Sequence, residues 1–282
     1  MGICNVTPDS FSDGGLYLDG ERARARVEEL VAEGADIVDI GGESTRPSSK
    51  PVPAREQLAR VLEIVRFAAS LTCVSIDTTS PEVAAACLDA GAHVVNDVSL
   101  LADPDLARVT AGSGGALILS HARAPQEAMS GYGAWPLSAY DDIVHDVLAD
   151  WERASARACE LGVPRDALVM DPGLGFSKAS RHSLELLRRA SELVSGVGPS
   201  VPVLFGASRK SFLTLIDQGA EAGDRLGASL VAAVHAARSG VRIVRVHDVR
   251  ATRQAIDMDV VLRTHAGHAC GNRVMNDTGG AA

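Results

Sequence analysis

The stretch "ADIVDIGG", residues 35–42, is a short apolar run closed by two glycines, and it is one of eight of its kind. The others are "GICN", "CVSIDT", "HVVND", "ALILSH", "ALVMDPG", "PVLFGAS" and "VRIVRVHD". Runs that are apolar on both faces suit parallel strands covered by helices, because a strand with one wet face alternates instead. Between them lie patterns of helical period at about 20–33, 54–70, 81–90, 105–111, 139–161, 183–194, 224–239 and 250–263. Ser80 before Pro81 reads as an N-cap with proline at the first helical position, and Gly34, Gly91, Gly162 and Gly240 each close a helix. Each strand is therefore followed by a helix. Eight βα units in a chain of this length predict a single α/β domain, a (β/α)8 TIM barrel over residues 1–264. An open doubly wound sheet would carry a Gly-x-Gly-x-x-Gly turn after its first strand, and none follows this one. Residues 265–282 lose the period and are expected to form a disordered C-terminal tail.

Composition narrows the function. Of the 282 residues 46% are hydrophobic and 22% charged, enough apolar matter for a sizeable core. The net charge of -9 argues against a nucleic-acid partner, which needs a concentrated basic surface, yet leaves a small anionic substrate open. The five cysteines are scattered with no Cys-x-x-Cys pair, as expected of reduced packing residues in a cytoplasmic protein. No run approaches about twenty apolar residues, so no membrane association is expected.

In a barrel of this kind the chemistry collects at the C-terminal ends of the strands. Unusual polar residues fall there repeatedly: Asn5; Gly41, Gly42 and Glu43; Asp77; Asn96 and Asp97; His121; Asp171; Ser208, Arg209 and Lys210; Arg245, His247 and Asp248. One Asp or Asn after a strand is an ordinary turn former or helix cap. A convergent set of carboxylates, amides and cations is something stability does not require, and together they point to a site.

The stretches "NVTPDSFSDGG", "DIGGESTRP", "SIDT", "NDVS", "DPGLGF", "SRKSF" and "RVHDV" also resemble the dihydropteroate synthase family of folate biosynthesis, in order and spacing, over residues 3–261. The resemblance implies a transferase that condenses 6-hydroxymethyl-7,8-dihydropterin diphosphate with p-aminobenzoate, giving 7,8-dihydropteroate and pyrophosphate. It further implies Mg2+ as cofactor and a homodimer. Asp171 would accept the paired N–H donors of the pterin edge in bidentate fashion. Asn96 would serve the remaining ring nitrogens, Lys210 the carbonyl side, and Arg245 would lay its guanidinium on the ring face. Asp77 would stand beside the reacting methylene, where positive charge grows as the C–O bond breaks. Asp77, Asp13 and Lys210 are the expected catalytic residues. Asn5, Arg245 and His247 would hold the pyrophosphate, with Asn5 also a ligand of the magnesium ion, which needs few protein ligands beside phosphate oxygens. For p-aminobenzoate, the carboxylate would meet Ser211 where "SRKSF" opens a helix, while Phe11, Thr45, Arg46, Pro47 and Phe176 would wall the ring. The first two loops would act as polar lids.

The chain departs from the family pattern in places. "NDVSLLADP" has Leu100 and Leu101 where glycines are common, and Ser120 precedes His121 where methionine is usual. No residues are added beside Phe176 in "DPGLGFSKAS", which makes sulfonamide sensitivity an expectation. Two other readings share the barrel. A folate-dependent methyltransferase would not need "NVTPDSFSDGG" or "SRKSF", and a non-catalytic pterin-binding paralogue would be expected to lose the loop or anion residues that this chain keeps.

Overall fold

The computed structural model describes residues 1–7, 16–43, 51–125 and 135–264. Six parallel strands run in sequence order: β1 Gly2–Asn5, β2 Ile37–Gly41, β3 Cys73–Asp77, β4 Val94–Asp97, β5 Ala116–Ser120 and β6 Leu168–Asp171. β7 Leu204–Phe205 and β8 Ile243–Val244 form a second parallel pair. Single bridges join the two sheets on both sides, Met170 to Val203 and Gly2 to Val246. The Met170 N–H donates to the Pro202 carbonyl at 3.0 Å, and the Ile3 N–H to the Val246 carbonyl at 3.0 Å. The ring is therefore closed, as the eight-run pattern predicts, and closure removes the sheet edges.

The helices are α1 Leu16–Ala32, α2 Ala54–Ala69, α3 Pro81–Asp89, α4 Asp105–Ser113, α5 Ile143–Glu160, α6 Ser180–Arg188, α7 Ala190–Val197, α8 Leu226–Arg238 and α9 Val249–Thr264. Ser80 caps α3 through its hydroxyl, and Gly34, Gly91, Gly162 and Gly240 lie at positive φ just past helix ends. Several boundaries differ from the sequence pattern, α1 beginning four residues earlier at Leu16, and two of the differences have a local account. α5 starts at Ile143 because Asp142 accepts from the Val144 and His145 N–H groups, which sets the first turn there. The pattern at 183–194 is two helices, broken at Arg189, whose φ of -102° and ψ of 26° leave the helical region. No glycine or proline marks that break, so periodicity alone passes over it.

What places the site is the alternation along each strand. Successive side chains point to opposite faces, so every second residue enters the barrel. Met1, Val94, Ile118, Val169 and Leu204 form a closed apolar cluster inside, with Ile37, Cys73, Ala116 and Ile243 packed against it. Two residues further along the same inward rows stand Asp39, Ser75, Asn96, Ser120, Asp171 and Arg245. The barrel interior thus changes from hydrocarbon to hydrogen-bonding groups within one pleat. The outward rows, such as Val38 with Ile40 and Leu117 with Leu119, stay apolar and pack under the helices.

Candidate active site at the barrel mouth

Arg245 sits between two carboxylates. Its Nε donates to Asp39 Oδ2 at 2.6 Å and its Nη2 to Asp77 Oδ2 at 2.9 Å. Asn96 Nδ2 donates to the same Asp39 oxygen at 3.2 Å. Asp39, Asp77 and Asn96 are all buried. The second oxygens, Asp39 Oδ1 and Asp77 Oδ1, are buried without a hydrogen-bond partner among the described residues. Leaving such acceptors unpaired costs on the order of 1–3 kcal/mol each, an expense typical of a place built to receive another molecule. Burial pushes the Asp77 carboxyl up to about 7, against the pull of Arg245 and with the push of Asp39. Burial also works against charge on Arg245, but Asp39 and Asp77 outweigh it and hold the guanidinium above its usual value.

The next group forms where β6 ends. Asp171 Oδ1 accepts from the Gly173 N–H at 2.8 Å and Oδ2 from the Ser120 hydroxyl at 2.5 Å. Two fixed donors aim this carboxylate. Gly173 has φ +64°, and a Cβ there would lie 2.0 Å from the His121 carbonyl oxygen, so only glycine makes the turn behind Asp171. Lys210 donates to the Leu174 carbonyl at 2.5 Å and lies 4.8 Å from the centre of the Phe176 ring. Burial lowers the Lys210 ammonium to about 8, opposed by Asp171. Phe176 itself is buried.

A cavity of about 670 Å³ lies where α1 and α9 flank the end of β1, lined by Asn5, Arg26, Glu29, Arg209, His247, Asp248 and Arg250 among others. Asn5 ends β1 and is exposed. The His247 N–H donates to Ser208 Oγ at 3.2 Å, so the hydroxyl hydrogen is free to go to His247 Nδ1, 3.0 Å away. That assignment leaves the ring hydrogen on Nε2. Burial, and then Arg245, push His247 down to about 4, so it is a neutral donor at pH 7. Arg209, at φ 58°, is paired with Asp248.

The structure brings Asp77, Asn96, Asp171, Lys210 and Arg245 together at one end of the barrel, with Phe176 under Lys210, while Asn5 and His247 line the cavity flanked by α1 and α9. Phe11, Asp13, Thr45, Arg46 and Pro47 lie outside the described residues. Ser211 needs a correction. The helix expected to start there is a five-residue 3-10 stretch, Ser211–Leu215, with no side-chain cap at Lys210. A stretch that short sums few peptide dipoles, so any anion there would rest on local donors. Asp97 is structural: its carboxylate takes the Ser99 and Leu101 N–H groups at 2.8 and 2.5 Å. His121 has Asp150 on one ring nitrogen and Lys178 on the other, so neither is offered to a ligand.

Sequence reasoning missed Asp39, which looked only to residues closing each run. Its signal was an acid at an inward position in the middle of an otherwise apolar strand. Ser120, which departs from the family pattern, is one of the two donors that orient Asp171.

Three comparisons bear on this geometry. The profile of a family described as "Pterin binding enzyme" matches residues 1–247. The chain is 43% identical over 274 residues to the dihydropteroate synthase of Mycobacterium leprae, covering 95% of this chain and 94% of that protein. It is 40% identical to a probable bifunctional folylpolyglutamate synthase/dihydropteroate synthase of Haloferax volcanii, of which it spans 30%. Among solved structures, the dihydropteroate synthase of Xanthomonas albilineans with 4-aminobenzoic acid superposes with a TM-score of 0.84 at 36% identity, covering 94% of this chain and 92% of that one. The same enzyme has also been solved in complex with 7,8-dihydropteroate.

Proposed function

The chain belongs to the pterin binding enzyme family, and from that membership we propose how its own residues carry the dihydropteroate synthase activity its relatives share. The reaction joins the p-aminobenzoate nitrogen to the methylene carbon of a pterin diphosphate. As the C–N bond forms, the C–O bond breaks, pyrophosphate leaves with the electron pair, and the nitrogen gives up a proton.

In this reading Asp171 binds the pterin edge, because its two oxygens are aimed by Gly173 and Ser120 while each still has a lone pair to offer. That alignment is the observation that carries the assignment. Asn96 serves the ring nitrogens and Lys210 the carbonyl. Arg245 has two of its nitrogens committed to Asp39 and Asp77, which fixes its plane and suits its face to a ring. The Asp77 carboxylate favours positive charge at the methylene, and its unpaired oxygen is already desolvated, so little reorganisation is needed. Neutral His247, with Arg245, receives the leaving pyrophosphate. Phe176 walls the p-aminobenzoate ring, Ser211 meets its carboxylate, and Phe11, Asp13, Thr45, Arg46 and Pro47 complete that side from the first two loops.

Among the described residues no group of three or more His, Cys, Asp or Glu could cage a metal ion. The donors fit magnesium nonetheless: Asn5 offers one exposed carboxamide oxygen, and Gly41 across from it has no side chain, where a Cβ would lie 3.8 Å from that oxygen. Magnesium, when bound, would neutralise charge on the diphosphate.

The partner expected is a second copy of the chain. Val231 on α8 and Met258 and Leu262 on α9 are 71%, 59% and 70% exposed, beside a groove of about 320 Å³ lined by Leu230, Val231, Val234 and Ala255. Light scattering that returned a monomer at micromolar concentration would refute the dimer. No helix among the described residues is long and apolar enough to cross a membrane.

Asp171→Asn tests the pterin assignment. The amide turns one acceptor into a donor facing the ring's own donor, a loss of roughly 3 kcal/mol or more in pterin affinity. Calorimetry that found near-normal pterin binding would remove Asp171 from the slot.

A further inference from the structure

Lys178 is buried and takes no part in the chemistry above. Its Nζ meets three acceptors: His121 Nδ1 at 2.8 Å, the His121 carbonyl at 3.2 Å and the Phe176 carbonyl at 2.9 Å. On the far side of the ring, His121 Nε2 lies 3.0 Å from Asp150 Oδ2. A carboxylate only accepts, so Nε2 carries the hydrogen and Nδ1 presents its lone pair to Lys178. Three acceptors around one nitrogen are satisfied by an ammonium and not by an amine. Asp150 in turn takes the Arg123 Nε at 2.8 Å. Arg123, Asp150, His121 and Lys178 therefore form one relay from the segment after β5 to the loop between β6 and α6.

That loop needs a brace. Gly173, Gly175 and Ser177 lie at φ 64°, 86° and 48°, and a non-glycine residue such as Ser177 persists there only when its surroundings hold it. The same loop presents the Leu174 carbonyl that receives Lys210 and the Phe176 ring beneath it. Burial lowers the Lys178 ammonium well below the ordinary lysine range, with Asp171 opposing, so keeping a lysine here costs stability that an apolar residue would not.

We propose that Lys178 is a positioning residue: by tying the Phe176 carbonyl to His121, it sets the turn that places Phe176 and Leu174 against Lys210, and so shapes the p-aminobenzoate wall. This rests on the assignment of Phe176 to that wall. Asn96 is held by a strand end and does not depend on the tie; Asp171 takes the Gly173 N–H and Lys210 the Leu174 carbonyl, both on this loop, so the pterin site feels the tie less directly than the p-aminobenzoate wall.

The test is steady-state kinetics on Lys178→Met with both substrates, alongside a thermal melt. The expected result is a KM for p-aminobenzoate raised tenfold or more, with the KM for the pterin diphosphate raised at most threefold. General loosening of the fold would move both constants together. If Lys178→Met does not fold, Asp150→Ala decides: it leaves Lys178 in place but frees the far side of His121, and should raise the p-aminobenzoate KM about threefold, with a smaller change in the pterin KM. An unchanged p-aminobenzoate KM in a folded variant, or equal changes in both constants, overturns the proposal. Turnover by the unsubstituted enzyme in the same assay separates that failure from a failure of the activity assignment.

Discussion

At the scale of single residues, the site turns on how carboxylates are aimed and charged. Ser120 donates to Asp171 at 2.5 Å, and a hydrogen bond to a charged group is worth about 1.5–3 kcal/mol net. Ser120→Ala should therefore raise the KM for the pterin diphosphate about tenfold or more and leave that for p-aminobenzoate unchanged. A change below twofold would mean that Gly173 alone orients the carboxylate. Asp77 carries a different signature. Its folded value near 7 lies above that of an unfolded chain, so between about pH 4 and pH 7 the native state holds a proton that the unfolded chain has released. The stabilisation this brings is full below pH 4, declines as pH rises to 7, and is absent above. Asp77→Asn cannot titrate, so the melting temperature of the variant minus that of the parent should move in the variant's favour from pH 5 to pH 8. A constant difference would show that Asp77 ionises like any exposed carboxyl. Asp77, Asn96, Asp171, Lys210 and Arg245 were legible because each ends a strand run. Asp39 was not, because motif reading weighs the end of a run and not the inward parity within it.

At the scale of elements, the loop after β4 shows what a departure from the family pattern costs. Leu100 and Leu101 occupy φ 58° and 61°, where a side chain costs roughly 1–2 kcal/mol each. Asp97 holds the turn by accepting from the Ser99 and Leu101 N–H groups. The two leucines differ in burial: Leu101 is 2% exposed, whereas Leu100 is only partly buried. Leu100→Gly should leave stability within about 1 kcal/mol of the parent, since relief of backbone strain offsets lost contact and added unfolded-state freedom. Leu101→Gly should cost about 2–4 kcal/mol, as a buried leucine is emptied. Equal losses in urea denaturation would mean that burial does not separate the two leucines. The sequence marked this loop as unusual but could not show the dihedrals. The break at Arg189 and the shortness of the stretch after Lys210 escaped it for a related reason: neither is punctuated by glycine, proline or a capping side chain.

At the scale of the whole molecule, eight apolar runs alternating with helical periods were enough to read a closed barrel, because period sets which face each side chain takes. That same alternation brings residues 39, 77, 96, 171, 210 and 245 to one end, from six separate βα units, without any of them being near another in sequence. On this reading the assembly transfers a pterinylmethyl group, rather than only binding or hydrolysing its substrate. The measurement that addresses it is simultaneous quantification of pyrophosphate and 7,8-dihydropteroate from the pterin diphosphate, p-aminobenzoate and magnesium. The two products should appear in equal amounts, and both should fall by at least a hundredfold in Asp171→Asn. Pyrophosphate without dihydropteroate, or neither product from a folded chain that binds pterin, would contradict it.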